Sequence, residues 1–276
     1  MKNLLSIITL LFLITSCTEV VDIDLETANP KLVVEANINW QKGTSGEEQV
    51  IKLSTTTNYY NKNIPTANGA IVSVKNDVTN QNFIFNEIVG TGKYTCSNFV
   101  PLINNSYTLK IKYNGKTFEA QEKLTPIAAI SEIIQIEDGG FNGKEFRVRA
   151  YYVDPQVTSD YYLFNYFYQN NNNYMKPDYY VSDDIFYNGN AFFSTSFKDG
   201  LKIGDTVTMT HLGISQQYYN YLNILLSLSG SQGGGGPFQA PPVSVRGNLT
   251  NSDNQDDYPY GYFSLSESDK RDYTIK

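Results

Sequence analysis

Residues 106–123 read SYTLKIKYNGKTFEAQEK, and this stretch carries the strongest local structural signal in the chain. Apolar and polar residues alternate on both sides of Asn114-Gly115, with the period of a half-buried β-strand. Both central residues of a two-residue type I′ turn need positive φ, and Asn-Gly is a favoured pair there. The stretch therefore predicts a β-hairpin whose strands are Ser106–Tyr113 and Lys116–Lys123.

The same alternation extends upstream of the hairpin and begins at Lys31, where Leu32, Val34, Ala36 and Ile38 fall on one face. Four more segments read as strands: Gln49–Thr56, Ala70–Lys75, Asn82–Ile88 and residues near Tyr94. Short strands at this spacing are typical of a β-sandwich. We therefore predict an immunoglobulin-like or prealbumin-like sandwich over residues 31–125.

A second β-rich unit is predicted over residues 126–276, after a boundary at Thr125-Pro126. Glu145–Val153 and Tyr161–Gln169 are expected to pair across Asp154-Pro155, and Ile203–His211 is a further strand. One helix is predicted from Ser215, its N-cap, to Leu228, because apolar residues recur there at three- and four-residue spacings. A Gly/Pro-rich loop follows at residues 229–242. The expected class is thus mainly β, with one helix near residues 214–229.

Residues 1–16 predict a lipoprotein signal peptide. Lys2 supplies a positive n-region, and Leu4–Ile14 has the length of a secretory h-region. That run is shorter than the roughly 20 apolar residues that a membrane-spanning helix needs. Leu13-Ile14-Thr15-Ser16 directly before Cys17 resembles the bacterial lipobox, in which the thiol of Cys17 accepts the lipid. We therefore expect a membrane anchor at Cys17.

Residues 17–30 read as an acidic tether between the anchor and the fold. Glu19, Asp22 and Asp24 resemble the surface-export signal of Bacteroidota lipoproteins, although they are equally consistent with a solvated linker. The expected location is the outer membrane, exposed at the cell surface, with the periplasm-facing leaflet as the alternative. Once Cys17 carries lipid, Cys96 is the remaining cysteine, and no internal disulfide can form.

Composition excludes several functional classes. The 276-residue chain is 41% hydrophobic, carries a net charge of −7, and holds 22 Tyr but a single His. The excess of acidic over basic residues argues against nucleic acid as a partner. One His and one remaining Cys cannot supply a zinc site, and His211 lacks the sequence context of a serine hydrolase nucleophile. We expect no catalytic residue, no metal and no other cofactor.

Two acidic clusters could offer oxygen ligands to calcium: Asp183-Asp184, and Asp253 with Asp256-Asp257. Neither follows the EF-hand spacing, so solvated loop carboxylates are the favoured interpretation. Paired carboxylates for glycoside hydrolysis are set by spatial rather than sequential spacing. An unrecognised hydrolase therefore stays a residual hypothesis, which predicts convergent acids with perturbed pKa values in a pocket.

Many of the tyrosines lie between Tyr151 and Phe193, and this segment is the best candidate for a binding site. A Tyr ring has an apolar face and a polar tip, which suits it to stack on sugars or contact a protein. About half of these residues are expected to be core or cross-strand pairs. The ligand- or partner-binding candidates are Tyr174, Tyr179, Tyr180 and Tyr187.

Five segments together resemble a known family: Glu19–Leu25, Pro30–Glu35, Ser215–Tyr221, Pro241–Leu249 and Gly261–Ser264. The chain resembles the Bacteroidota lipoprotein family called domain of unknown function 4249. That resemblance implies an outer-membrane lipoprotein, often encoded near a TonB-dependent transporter, and no established catalytic residues. The expected function is non-enzymatic ligand capture or partner binding beside such a β-barrel transporter. The alternative is a stand-alone glycan-binding or adhesion module that uses the tyrosine-rich unit.

Overall fold

The computed structural model describes residues 29–58, 61–141, 143–170, 173–228 and 245–276. Within these ranges the chain is mainly β with one helix, as expected. The elements are β1 (Leu32–Gln41), β2 (Gln49–Thr55), β3 (Ile71–Asn76), β4 (Asn82–Ile88), β5 (Lys93–Cys96), β6 (Ser106–Tyr113), β7 (Lys116–Lys123), β8 (Glu132–Gly139), β9 (Glu145–Val153), β10 (Tyr161–Asn170), β11 (Asn173–Asp183), β12 (Ala191–Thr195), β13 (Thr206–Ile214), α1 (Gln216–Leu228), β14 (Thr250–Asn251) and β15 (Tyr260–Thr274). The predicted signal peptide, Cys17, most of the tether and the 229–242 loop lie outside the described residues.

The first sandwich forms where a large sheet turns a corner. This sheet has twelve strands in the order β11-β10-β13-β15-β1-β2-β5-β4-β3-β6-β7-β14. The first half of β4 pairs with β3 and its second half with β5. The strands on the two sides of β4 bury a shared core that includes Val34, Phe83 and Leu109. The predicted sandwich-like fold is thereby confirmed.

The Asn114-Gly115 hairpin is present as predicted. Asn114 and Gly115 have φ values of 49° and 74°, and Tyr113 pairs with Lys116 across the turn. Positive φ at both positions is the geometry that an Asn-Gly pair adopts most readily. The alternation along β6 then buries Tyr107, Leu109 and Ile111 on one face.

The last strand, β15, lies in the middle of the large sheet. It pairs in parallel with β1 and antiparallel with β13. Its residues Tyr262–Asp269 are all buried, and Phe263 and Leu265 belong to the first core. Ile275, just beyond its end, packs into the second core. The division into units 31–125 and 126–276 stays a prediction, because one sheet runs through both.

A separate three-stranded sheet, β12-β9-β8, covers part of the large sheet. The predicted pairing of β9 with β10 across Asp154-Pro155 is wrong. β9 pairs with β8 and β12, whereas β10 pairs with β11 and β13. Both strands carry a row of apolar residues, and these rows bury each other face to face. The rings of Tyr152 on β9 and Tyr162 on β10 lie 5.3 Å apart between the sheets.

The helix α1 lies on the opposite face of the large sheet. Tyr218 and Leu222 pack against Leu163 and Leu212 there. The Tyr218 N–H donates to Ser215 Oγ at 3.1 Å, which confirms the predicted N-cap. Of the helical structure within the described ranges, none is both long and apolar enough to cross a membrane.

Candidate functional site

A groove of about 430 Å³ opens beside α1 on the outer face of the large sheet. Strands β1, β10, β13 and β15 form its floor, and α1 and β11 flank it. We call it the helix groove. Its lining residues are Asn37, Ile38, Asn39, Leu163, Asn165, Tyr179, Leu212, Tyr218, Leu222, Leu226, Ser264 and Ser266.

One part of the helix groove is polar because the first and last strands run side by side. Asn37 pairs with Ser264 and Asn39 with Ser266 in the parallel β1–β15 register. Side chains two residues apart in a strand point to the same face. The amides of β1 and the hydroxyls of β15 therefore form two adjacent rows. The other part is aliphatic, with Leu163, Leu212 and Leu222. A ligand with both polar and apolar surface matches this division.

Asn37 connects the polar rows to the helix. Its Oδ1 accepts hydrogen bonds from Ser264 Oγ at 2.9 Å and from the Tyr218 hydroxyl at 3.2 Å. With the oxygen engaged in this way, the amide NH2 group is the part of Asn37 that can donate to another molecule. Tyr218 is buried, and burial raises its pKa to about 12, so it acts as a neutral donor.

Two buried oxygens on this face have no hydrogen-bond partner among the described residues. They are Oδ1 of Asn165, which lines the groove, and Oγ of Ser268. Ser268 follows Ser264 and Ser266 at two-residue spacing along β15, which places it on the same face. An unsatisfied buried polar group is destabilising by about 1–3 kcal/mol. Asn165 and Ser268 therefore have hydrogen-bonding capacity that no described residue uses.

The structure places the four nominated tyrosines in different surroundings. Tyr179 lines the helix groove, and its ring meets Phe167 edge-to-face with centroids 5.8 Å apart. Tyr174 is 81% exposed at the start of β11. Tyr180 and Tyr187, by contrast, belong to or pack against the second core.

The predicted exposure of Tyr180 is wrong, and Tyr187 is buried as well. The Tyr180 hydroxyl donates to the Thr195 carbonyl, and Tyr187 is 7% exposed and stacks on Phe192 with centroids 3.9 Å apart. The sequence predicts exposed loop positions for Tyr174, Tyr179 and Tyr180, with Pro177 in a rigid turn. They lie instead on β11, an edge strand, and the pairing with β10 is irregular between Tyr166 and Tyr168, opposite Pro177. Edge strands tolerate proline, and alternation then turns Tyr180 inward.

His211 lies in the second core and not in a groove. It is fully buried, and its Nε2 is 2.6 Å from Ser194 Oγ, which also contacts the Tyr166 hydroxyl. Burial lowers the pKa of His211 to about 3, so the ring is neutral. The chain thus holds a buried Tyr-Ser-His network that no sequence motif signals, because its members come from three separate strands.

Three carboxylates converge at one end of the second sandwich. Ligand oxygens of Asp154, Asp160 and Asp184 lie within 4.8 Å of one another, which is a spacing that could hold a metal ion. Asp154 accepts from the Tyr162 hydroxyl, and Asp184 accepts from the Asp160 N–H at 2.7 Å. Burial, together with the charges of Asp154 and Asp184, raises the pKa of Asp160. The sequence named Asp184 as an acidic candidate but not its two partners, which lie more than twenty residues upstream.

Comparison with known proteins gives one extensive match. A family model described as Domain of unknown function (DUF4249) matches residues 18–272. No curated protein matches the chain.

Distant similarity to solved structures was also found. A DUF4785 family protein from Legionella pneumophila is 11% identical, with 68% of this chain and 54% of that chain covered and a TM-score of 0.27. This chain thus spans about half the length of the Legionella protein. A two-domain fibronectin type III segment of chicken tenascin is 12% identical, covering 67% of this chain and 91% of that one at a TM-score of 0.21. The chicken interferon gamma receptor alpha chain is 11% identical, with coverages of 67% and 89% and a TM-score of 0.21.

Proposed function

We propose a function that starts from family membership: the chain belongs to the family described as Domain of unknown function (DUF4249), and it works as a ligand-capturing surface lipoprotein. In this proposal Cys17 carries the lipid that holds the protein on the outer membrane of a Bacteroidota cell. The helix groove binds the ligand and presents it to a TonB-dependent β-barrel transporter. The resemblance to lipoproteins encoded near such transporters supports the partnership.

The observation that carries the proposal is the composition of the helix groove. Its described lining residues are amides, hydroxyls, phenols and aliphatic side chains, with no carboxylate, imidazole or thiol among them. These groups can bind and orient a ligand by hydrogen bonds and apolar contact. They supply no activated nucleophile or general base near neutral pH, so the proposed action is binding without chemistry.

The anchor is tested by changing Cys17 to Ser in the full-length chain. We expect the wild-type protein to fractionate with outer membranes and to incorporate a labelled fatty acid. The C17S variant should lose the label and leave the membrane fraction. A C17S protein that still carries the label would contradict the lipidation assignment.

The partnership is tested by affinity purification from detergent-solubilised outer membranes. We expect a β-barrel protein to co-purify with the wild-type chain. Asn39→Trp fills the polar end of the helix groove, while Lys112→Gln changes an exposed residue of the first sandwich and is the matched control. Ligand uptake should fall in N39W cells and stay unchanged in K112Q cells. Reproducible purification without any barrel would overturn the transporter role.

A stand-alone glycan-binding module is the second candidate function. Tyr179 and Phe167, the latter 40% exposed, form an aromatic edge beside amide and hydroxyl groups, as sugar-binding surfaces do. A glycan array probed with the full chain should give hits that Tyr179→Ala abolishes and that Tyr174→Ala, outside the groove, preserves. An array without hits would remove this candidate.

A further inference from the structure

A second pocket lies on the other side of the molecule from the helix groove. It has a volume of about 370 Å³ and opens on the outer face of the β12-β9-β8 sheet. The inner face of this sheet carries Val148 and Ala150 of the second core, so the alternate residues Arg147 and Arg149 face outward. The pocket is lined by both arginines together with Ile136, Phe141, Thr195 and Phe197.

The two arginines differ in how their charges are compensated. Arg147 forms an ion pair with Asp199, and its Nη1 donates to the Lys198 carbonyl, so it holds the turn after β12. Arg149 takes part in no ion pair within the described part of the chain. Its guanidinium carbon lies 4.4 Å from the centre of the Phe193 ring, and its buried Nε has no hydrogen-bond partner among the described residues.

The half-buried guanidinium of Arg149 carries a positive charge that no carboxylate among the described residues compensates. Contact with one aromatic face stabilises the guanidinium charge only partly, whereas a paired carboxylate adds charge-assisted hydrogen bonds that are roughly twice as strong as neutral ones. The planar fork of arginine donors matches the geometry of a carboxylate as well as that of a phosphate. The charge of Arg149 therefore favours an anion at the pocket.

Two exposed phenylalanines line the pocket beside the arginines. Phe141 is fully exposed, and Phe197 is 57% exposed while packing edge-to-face on Tyr180 at 5.3 Å. Two exposed phenylalanines beside a single uncompensated cation match a molecule with a flat apolar body and one negative group. The volume lies within the range of small-molecule sites.

We propose that this pocket binds a small apolar carboxylate, with its carboxylate on Arg149 and its apolar body between Phe141, Phe197 and Ile136. The site is independent of the ligand proposed for the helix groove. Its occupant need not be a transported molecule, and the failure of either assignment leaves the other intact.

The experiment is calorimetric titration of the full-length chain with 2-naphthoate, using uncharged 2-naphthamide as the matched probe. The wild-type protein should bind naphthoate with one site and bind naphthamide at least tenfold more weakly. Arg149→Gln should lower the affinity for naphthoate at least tenfold, and Phe197→Ser should lower the affinity for both probes. Lys112→Gln, which removes a positive charge in the first sandwich, should bind like wild type.

Three results would overturn the proposal: no naphthoate binding by wild type, equal binding of the two probes, or equal affinities of R149Q and K112Q. Circular dichroism of each variant checks that the β fold is retained. Arg149→Lys keeps the charge but not the planar fork, so it should bind with intermediate affinity. If R149Q does not fold, the naphthoate and naphthamide affinities of wild type and R149K still decide the question.

Discussion

Oγ of Ser194 lies 2.6 Å from Nε2 of His211 inside the second core, where both side chains are buried. The rings of Tyr152 and Phe164 approach the imidazole edge-on, with centroids 5.5 and 4.6 Å away. Nδ1 of His211 has no partner among the described residues. An imidazolium would therefore have one polar neighbour and no compensating carboxylate, which is why burial holds the ring neutral.

This arrangement predicts a histidine-dependent loss of stability in mild acid. The pKa of His211 is about 3 in the folded chain against an ordinary value of 6.5, so protons bind preferentially to the unfolded state. The stability that the neutral His211 ring preserves is fully present above pH 6.5, and it is lost as the pH falls from 6.5 toward 3. One pKa unit corresponds to 1.36 kcal/mol, so the loss at pH 5.0 is about 2 kcal/mol.

Urea unfolding at pH 7.5 and pH 5.0 measures this loss. His211→Gln keeps a polar group near Ser194 but does not titrate, so its stability should fall by about 2 kcal/mol less than that of wild type between the two pH values. The carboxylates change the free energy of unfolding with pH by the same amount in wild type and H211Q, so their effect cancels in the comparison. If the two proteins lose the same free energy, His211 is not buried as a neutral ring.

The three-carboxylate cluster predicts a stabilising substitution. Because burial and the neighbouring Asp154 and Asp184 raise the pKa of Asp160, this carboxyl favours folding in acid, and the contribution is lost as the pH rises through the folded pKa. At pH 7.5 its charge opposes folding. Asp160→Asn removes that charge, while the amide oxygen can still accept from Thr158, which donates to Asp160 at 2.6 Å.

We expect D160N to raise the free energy of unfolding by on the order of 0.5 kcal/mol at pH 7.5 in EDTA. The gain should shrink as the pH falls through the raised pKa of Asp160, where the carboxyl takes up its proton. Asp256→Asn removes the same charge from an exposed loop and is the control. A D160N protein less stable than D256N in EDTA would contradict the repulsive character of the cluster.

Much of the first sandwich could be predicted from local information. Asn114-Gly115 specifies its own turn, and strict alternation identified which side chains of β6 are buried. The wrong pairing of β9 with β10 has a physical reason. Periodicity shows that one face of a strand is apolar, but it does not show which strand pairs with its edge and which sheet covers its face.

The candidate site was largely beyond prediction because it is assembled from distant segments. Asn37 and Ser264 are separated by 227 positions and meet because the first and last strands pair in parallel. Neither residue belongs to a recognisable motif. The sequence marks Tyr179 as one of several tyrosines in an aromatic segment, but it does not indicate the groove that Tyr179 lines. The loop prediction for Tyr180 is wrong because an edge strand that contains Pro177 resembles a loop in sequence.

The helix that flanks the groove depends on its N-cap. Ser215 Oγ accepts the Tyr218 N–H at 3.1 Å and donates to Glu122 Oε2 at 2.9 Å. Glu122 is buried, and burial raises its pKa, so the loss of a donor leaves this carboxylate less well satisfied. Ser215→Ala should lower the free energy of unfolding by about 1–2 kcal/mol.

Ser227→Ala provides the control for S215A. Ser227 lies near the other end of α1, is exposed, and donates to the Ile224 carbonyl at 2.7 Å. Its replacement should change stability by no more than about 0.5 kcal/mol in urea unfolding. If S215A and S227A lose similar amounts of free energy of unfolding, the N-cap at Ser215 does not contribute measurably to stability.

The parallel pairing of β1 with β15 creates the groove floor, and Gly261 permits it. Gly261 lies opposite Val34 with φ of +93°, and a Cβ there would be 2.0 Å from the Val34 carbonyl oxygen. Gly261→Ala would therefore combine left-handed backbone strain with a backbone clash. We expect it to lower the free energy of unfolding by more than about 3 kcal/mol.

Gly115→Ala separates the two causes in that prediction. Gly115 has a similar φ of +74°, but a Cβ would meet nothing within 4 Å. Strain alone costs roughly 1–2 kcal/mol, so urea unfolding should show G261A to be the less stable variant by a clear margin. Equal losses would mean that the strands β1 and β15 can separate enough to admit a methyl group. The backbones of β1 and β15 would then not need the close approach seen at Gly261. The paired Asn and Ser rows on the floor of the helix groove would not be held in a fixed register.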